Sequence, residues 1–555
     1  MHRKRIACCG VFVSAAMLAT AVPVGARAAD HAYCVRSVNV VAADVTADLE
    51  RKLRSLEPLP ATPDFFNLSI GARYPLAWHA HTVEGRDRLK DNHSLYWSFS
   101  ENYELVGPRD FLGAGYPVTV GRDGRSFLLG GRYEKFGSEK RLFRDLLLQQ
   151  VDRGVIAEVE SDLQKQLGDT RLVAWSDLLN GFVLSSIQWR EDPAGDATGD
   201  ERTFLLKGGT LAKLPSAEQS LLVVTDLPRL GVTALLGYGS LAIVTPQLET
   251  TPVAALSRGH FGHFEALYET RDKGWLYADG DDYDNAVHVE QVDGKWRATD
   301  IVRIEPIEDS NEGWLDRFVR WILGPMPDQM KHDEHFKVIK AGTCQRFSTA
   351  IKRMLFCGDG PFTTDIRSEL RAGEMIPVAG GAGGLKTFLG DADSLGLALF
   401  LGADRGLYGY DGERVERIAD ADFEIATVYD LPRLGRTLVV SPNAMFEVRA
   451  KSDGHELVKL VGLSARALFG SPLLAAPDGN AVLAFAQDGV YQLKDGALTV
   501  VWSSAEHGSV DANGGTPPTD VAGWGGILFT THLGKEIQFH LLRSCSESTG
   551  SFRTR

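Results

Sequence analysis

The hexapeptide Asp226-Leu227-Pro228-Arg229-Leu230-Gly231 recurs as Asp430-Leu431-Pro432-Arg433-Leu434-Gly435, and in both copies a strand-like run follows at the same offset. Thr233 to Leu236 leads on to Leu241-Ala242-Ile243-Val244 in the first copy, and Thr437 to Val440 leads on to Met445-Phe446-Glu447-Val448 in the second. Identical turns in phase with matching strand pairs point to one structural unit used repeatedly. Working outward, the same grammar of apolar run, Gly/Asp/Asn turn, second apolar run and Asp-Gly turn returns. It reads Ala398-Leu399-Phe400-Leu401, Gly406-Leu407-Tyr408, Asp411-Gly412; then Val482-Leu483-Ala484-Phe485, Gly489-Val490-Tyr491, Asp495-Gly496; then Ile527-Leu528-Phe529-Thr530 ahead of Ile537. An upstream relative is Trp275-Leu276-Tyr277 with Asp293-Gly294. Equivalent positions Leu407, Met445, Val490 and Ile537 stand 38, 45 and 47 residues apart.

Short alternating strands joined by glycine-containing turns at this period predict a mainly β chain, a β-propeller of about six to eight blades. A blade cannot cover both of its own faces, so such units close into rings. The Gly406-Leu407-Tyr408 segment with its flanking strand and Asp-Gly turn resembles the blades of bacterial exported β-propeller repeat proteins, including sensor-type propellers. It lacks the Gly-His and Trp-Asp marks of the WD40 group, and it covers residues 220–300 and 390–545 better than the rest. Tandem β-sandwich domains are the alternative architecture for the same strand pattern.

Two regions break the rhythm and are expected to be helical insertions, 138–168 and 306–360, the first with the alternative of a strand pair over Leu146 to Val159 around Asp152-Arg153-Gly154. In the second, Trp314, Leu315, Phe318, Val319 and Ile322 fall at helical spacing, as do Phe347, Ala350, Ile351, Met354 and Leu355. A further short helix is expected over Asp44 to Leu56.

Residues 1–28 open with His2-Arg3-Lys4-Arg5, continue as an apolar stretch and close on Ala26-Arg27-Ala28, the pattern of a cleaved signal peptide. The mature chain, 29–555, is therefore expected to be periplasmic or secreted, with no membrane span of its own. Four of the six cysteines then remain, in a compartment where disulfides persist. Cys34 and Cys545 flank strand-like runs near the two chain ends, and pairing them would clasp the termini. Cys344 and Cys357 are 13 apart, too far to bond along a straight helix, so their pairing requires a break or a hairpin between them. The formal charge is −14, and since the first 28 residues hold four basic groups and no acids, the exported part is more acidic still. That balance excludes a nucleic-acid binder, which needs a basic surface.

Motifs for chemistry are sparse. Gly380-Gly381-Ala382-Gly383-Gly384-Leu385-Lys386-Thr387 places Leu385 where a phosphate-binding loop requires glycine before lysine. His332-Asp333-Glu334-His335 has the wrong spacing for a zinc protease, and no Gly-x-Ser-x-Gly elbow occurs. Asp279, Asp281, Asp282 and Asp284 supply hard oxygen ligands of the kind calcium takes, within a loop that departs from EF-hand spacing. Trp314, Trp321 and Trp524 are candidate anchors for a protein partner, because large rigid rings bind at low entropic cost. The resulting expectation is an exported, non-enzymatic propeller that binds another macromolecule in a sensor or scaffold role. Its rival is a propeller enzyme acting on a carbohydrate or lactone through acidic residues gathered at the ring centre.

Overall fold

The computed structural model describes residues 33–42, 67–112, 118–306 and 336–545, less short connecting stretches such as 281–283 and 342–344, and of 67–112 it describes the backbone alone. Runs such as Val232–Gly237, Leu397–Gly402 and Val482–Ala486 are apolar and buried along their whole length. Continuous burial of this kind requires cover on both faces. Each such run is the second strand of a small antiparallel sheet, and its neighbours supply the cover.

Nine hydrogen-bonded sheets follow one another among the described residues. The eight-stranded one is two blades joined through a single pairing of Ile366 with Leu385, which makes ten blades in chain order. They span 67–112, 119–158, 169–214, 221–255, 264–306, 345–377, 385–419, 427–461, 473–503 and 509–544, and are numbered blades 1 to 10 below. The count exceeds the expected six to eight because blades 1, 2, 3 and 6 lie outside 220–300 and 390–545, the stretches in which the repeat is legible. First strands such as Leu221–Leu227 and Thr427–Leu431 are half-buried with no fully exposed position, so they line the inside of the ring. Fourth strands such as Gly454–Val461 and Ala497–Ser503 alternate exposed and half-buried residues and form the outer rim.

An apolar cluster fills every interface from blades 2–3 to blades 9–10. Phe127, Leu147, Phe182 and Leu184 pack between blades 2 and 3, and Val183, Leu205, Leu235 and Ala242 between 3 and 4. Leu399 and Leu407 of blade 7 meet Val439 and Val448 of blade 8. The last interface joins Phe485 and Val490 to Phe529, Leu542 and Tyr33.

Two expectations are corrected. Within 138–168, Lys140–Gln150 is a long strand paired with Ser126–Phe136, and only Ser161–Leu167 is helical. Within 306–360, residues 307–335 lie outside the described part, and with them His332, His335, Trp314 and Trp321. Phe336–Ala341 runs parallel to Lys295–Pro306 as a fifth strand of blade 5. Gln345–Ser348 and Arg353–Cys357 form an antiparallel hairpin that begins blade 6. The helical spacing misleads here because Met354, Leu355 and Phe356 are all buried: both faces of the strand are covered, so burial follows no period. The hairpin sets Gln345 opposite Phe356. Cys357 is disulfide-bonded, while Cys344, its expected partner, lies outside the described residues, as does the segment Asp44 to Leu56.

The chain ends meet. Tyr33–Ser37 adds antiparallel to Glu536–Ser544 as the outer strand of blade 10, and Val40–Ala42 then adds parallel to Leu105–Leu112 in blade 1. One N-terminal segment thus stitches the last blade to the first, and the expected disulfide between Cys34 and Cys545 clasps the join. Replacing both cysteines by serine is expected to remove about 2–5 kcal/mol of stability. Thermal melts of the oxidised proteins followed by circular dichroism check this; superimposable curves for the wild type and the double variant would show that the clasp bears no load.

Candidate functional site: the latched turn face

Because every blade runs up and down, its 1–2 and 3–4 turns lie on one face of the ring and its 2–3 turns on the other. The duplicated hexapeptide is a 1–2 turn. Its closing glycines, Gly231 and Gly435, take φ of 71° and 59°, a left-handed conformation that glycine adopts without steric cost. Its leading aspartate reaches back to the preceding blade. Asp226 Oδ1 accepts from Ser176 Oγ of blade 3 at 2.6 Å and from Thr233 Oγ1 at 2.8 Å, while its Oδ2 accepts the Asp177 N–H at 2.6 Å. Asp430 repeats the arrangement with Ser394 Oγ of blade 7 and Thr437 Oγ1, both at 2.7 Å.

The arginine of the hexapeptide reaches forward. Arg229 donates to the carbonyls of Thr270, at 3.0 Å, and of Arg271, both in blade 5. Arg433 donates to the Pro477 carbonyl of blade 9 at 3.4 Å and pairs with Asp520 of blade 10. Other turns use the same device with different residues. Arg122 bonds Asp177 at 2.6 Å between blades 2 and 3. Between blades 6 and 7, Asp391 accepts the Thr349 N–H at 3.0 Å and the Ser348 hydroxyl. Tyr33 donates its hydroxyl to Asp478 at 2.8 Å between blades 10 and 9. Every interface from blades 2–3 onward therefore carries a polar latch on this one face.

The densest part of the face lies over blades 5 to 7. Glu369 and Arg353 are 0% and 3% exposed. Arg371 donates Nε and Nη2 to Glu369 Oε1 at 2.9 and 2.6 Å, and Tyr410 donates its hydroxyl to Oε2 at 2.6 Å. Arg353 Nη1 donates to Asp272 of blade 5 at 2.9 Å, and its Nε stands 3.7 Å from Glu369 Oε1. Arg371 also donates to the Gly412 carbonyl of blade 7 at 2.7 Å and pairs with the exposed Glu413 at 3.2 Å. Burial, and then the Glu369 carboxylate, push the Tyr410 hydroxyl above its ordinary range, so it remains a proton donor at physiological pH. With both carboxylate oxygens engaged, by Arg371 and by Tyr410, the group holds charge in place.

Of the inner strands, Leu172-Val173-Ala174-Trp175, Leu222-Val223-Val224-Thr225, Thr387-Phe388-Leu389 and Thr427-Val428-Tyr429 present neutral side chains, whereas Phe264–Glu269 carries the exposed Glu265 and the half-buried Glu269, whose carboxyl burial raises above the usual range; on that strand Tyr268 stacks on Phe347 with centroids 4.2 Å apart.

The candidate site residues named from the sequence are not brought together. Asp284 is buried and turned inward, accepting the Gly280 N–H at 3.0 Å. Burial raises its carboxyl above the usual range, against hydrogen bonds from the Tyr277 hydroxyl and that N–H. Asp279 is half-buried on the same hairpin, whereas Asp281 and Asp282 lie outside the described residues. Among the described residues no three His, Cys, Asp or Glu side chains group as a metal site. Trp524, expected as a surface anchor, is 5% exposed, so the last turn before Gly526–Leu533 buries it. Sequence reasoning missed Asp226, Arg229, Asp430 and Arg433 as latches, although the hexapeptide that contains them is the strongest signal in the chain. Glu369, Arg353 and Tyr410 carry no local signal, because they come from three strands in two blades.

No protein-family model and no curated protein matches the sequence. Among solved structures the chain is similar to dipeptidyl peptidase 4 of Porphyromonas gingivalis, at 11% identity and a TM-score of 0.29, over 80% of this chain and 52% of that one. It is also similar to the extracellular domain of a putative one component system from B. thetaiotaomicron, at 11% identity and a TM-score of 0.25, over 85% and 64% of the two chains. A third is a putative 6-phosphogluconolactonase from Bacteroides fragilis, at 11% identity and a TM-score of 0.23, over 67% and 93%. The chain spans about half the length of the peptidase.

Asp430→Asn is expected to cost about 1–3 kcal/mol, since it weakens charge-assisted bonds to both Ser394 and Thr437. Combining it with Ser394→Ala should cost less than the sum of the two single changes, because they break one contact. Urea unfolding of the four proteins reads this; strict additivity would contradict the latch.

Proposed function

We propose that this chain is an extracytoplasmic, non-enzymatic propeller that presents its latched turn face to a macromolecular partner in a sensor or scaffold role. The observation that carries the reading is how the acidic side chains are used. Asp226, Asp272, Glu369, Asp391 and Asp430 are consumed in bonds between blades, and on the inner strand Phe264–Glu269 the two carboxylates, Glu265 and Glu269, stand at opposite ends, with Glu269 accepting the Arg229 N–H. An enzyme working at the ring centre would instead need carboxylates free to exchange protons there. What the turn face leaves to solvent is a set of mixed charges on short, braced turns, Lys273, Lys352, Asp393 and Asp478 among them. Braced polar surface loses little conformational entropy on docking, which favours recognition.

The clasp supports an extracytoplasmic compartment. A disulfide between residues 511 apart persists in an oxidising environment and is rare in the cytosol. That agrees with the cleavable signal read at 1–28. No helix among the described residues is long and apolar enough to cross a membrane.

The test is capture by crosslinking. Tagged mature protein in periplasmic or secreted extract is expected to recover a discrete partner. Lys273→Glu, Lys352→Glu and Asp393→Lys together should reduce that recovery at least tenfold, and Arg405→Glu, on the opposite turns, should leave it intact. Trp314→Ala with Trp321→Ala measures whether the segment between blades 5 and 6 contributes. Recovery of no partner by a folded protein, or equal losses from both faces, would overturn the reading.

A further inference from the structure

The seam of the ring encloses a histidine that the latch scheme does not use. His540, in the strand Glu536–Ser544, is 0% exposed. Its Nε2 lies 2.9 Å from Thr531 Oγ1 of the neighbouring strand, and its Nδ1 lies 3.3 Å from Ser37 Oγ of the N-terminal strand. The imidazole is thus tied on one side to blade 10 and on the other to the segment that closes the ring. Aromatic rings complete the enclosure: Phe529 and Trp502 at centroid distances of 5.1 Å each, and His507 at 5.4 Å.

The groups that face His540 can be taken element by element. The N-terminal strand contributes the Ser37 hydroxyl, and blade 10 contributes Thr531 and Phe529. From blade 9 and the turn after it come Trp502 and His507, which stack on each other at 5.4 Å. The carboxylate of Asp511 is bonded to His532 at 3.0 Å. The titratable neighbour of His540 is therefore a second imidazole, which repels an added proton rather than welcoming it.

We propose that His540 makes the ring seam an acid-sensitive clasp: its protonation loosens the N-terminal strand from blade 10 while the Cys34–Cys545 bond keeps that strand tethered. In the neutral ring one nitrogen accepts from a hydroxyl and the other donates to one. Protonation converts the accepting nitrogen to a donor and places a charge in an apolar enclosure against His507, which is relieved only if the ring gains water. The direction follows from the titration. Burial, with the His507 ring beside it, holds His540 down to about 4 from an ordinary value of 6.5. An opened seam takes up the proton more readily than the closed one between those limits. The closed seam is therefore at full strength above about pH 6.5 and weakens by up to about tenfold in its opening equilibrium per pH unit as pH falls toward 4. The tether makes the opening local and reversible.

Hydrogen–deuterium exchange of the oxidised mature chain, corrected for intrinsic rates, tests this at pH 7.0, 5.5 and 4.5. Peptides covering 33–37 and 536–544 are expected to lose protection by up to about tenfold per unit below pH 6.5, while those of blades 4 and 8 stay unchanged. His540→Gln, which keeps a hydrogen-bonding side chain that does not titrate, should flatten the response. If that variant does not fold, His507→Phe serves instead: removing the repelling neighbour brings the closed seam's affinity for the proton nearer that of the open one, so the loss of protection should start at the same pH, level off sooner and be smaller overall. Unchanged protection in the wild type down to pH 4.5, uniform loosening of all blades, or a full acid response in folded His540→Gln would each overturn the proposal.

Discussion

The bond between a side chain of one blade and the turn of the next is the interaction on which the ring depends. Apolar burial supplies most of the free energy at each interface, but it is non-directional and tolerates rotation or sliding of one sheet against another. A charge-assisted hydrogen bond does not tolerate that, since its strength falls off within a few tenths of an ångström and with poor alignment. At Asp226 and Asp430 the carboxylate bonds its own second strand through Thr233 or Thr437 and the preceding blade through Ser176 or Ser394. One side chain therefore fixes both the turn that carries it and the angle to its neighbour. Arg229 and Arg433 complete the chain of contacts in the other direction.

That dual use explains what is legible in the sequence. Where a latch is built from consecutive residues, as in Asp-Leu-Pro-Arg-Leu-Gly, the unit shows as a repeat and the blade can be counted. Where it is assembled from distant residues, as with Asp272, Arg353 and Glu369, no local pattern exists and the blade is missed. The propeller architecture and the Cys34–Cys545 clasp are readable because strand, turn and cysteine positions are local facts. The blade 6 hairpin reads as a helix because complete burial erases the alternation that distinguishes a strand. Trp524 reads as exposed because flanking glycines suggest a loop, whereas it is buried in the turn that leads into Gly526–Leu533.

The distribution of charge bears on function in the same terms. A chain of net charge −14 must put its carboxylates somewhere, and the buried ones among the described residues are held by hydrogen bonds, Asp169, Asp284 and Glu447 within their own blades and Glu369 across to Tyr410 of the next. Glu447, for example, is held between Arg436 and Arg449, and these outweigh its burial to keep it ionised. Carboxylates committed in this way stiffen the scaffold.

Closure is where the architecture is most exposed to failure. Each interior interface joins blades adjacent in sequence, but the last joins residues 511 apart, and the entropy of bringing the ends together grows with the logarithm of that separation. The chain concentrates its devices there accordingly: a disulfide, an N-terminal strand shared across the join, the Tyr33 hydroxyl on Asp478, and the Ser37 contact to His540. The first of these is indifferent to mild acid and the last is not. A seam fastened by both bonds cannot come apart, yet it can slacken, so the one interface most costly to close is also the one whose tightness the surroundings can set.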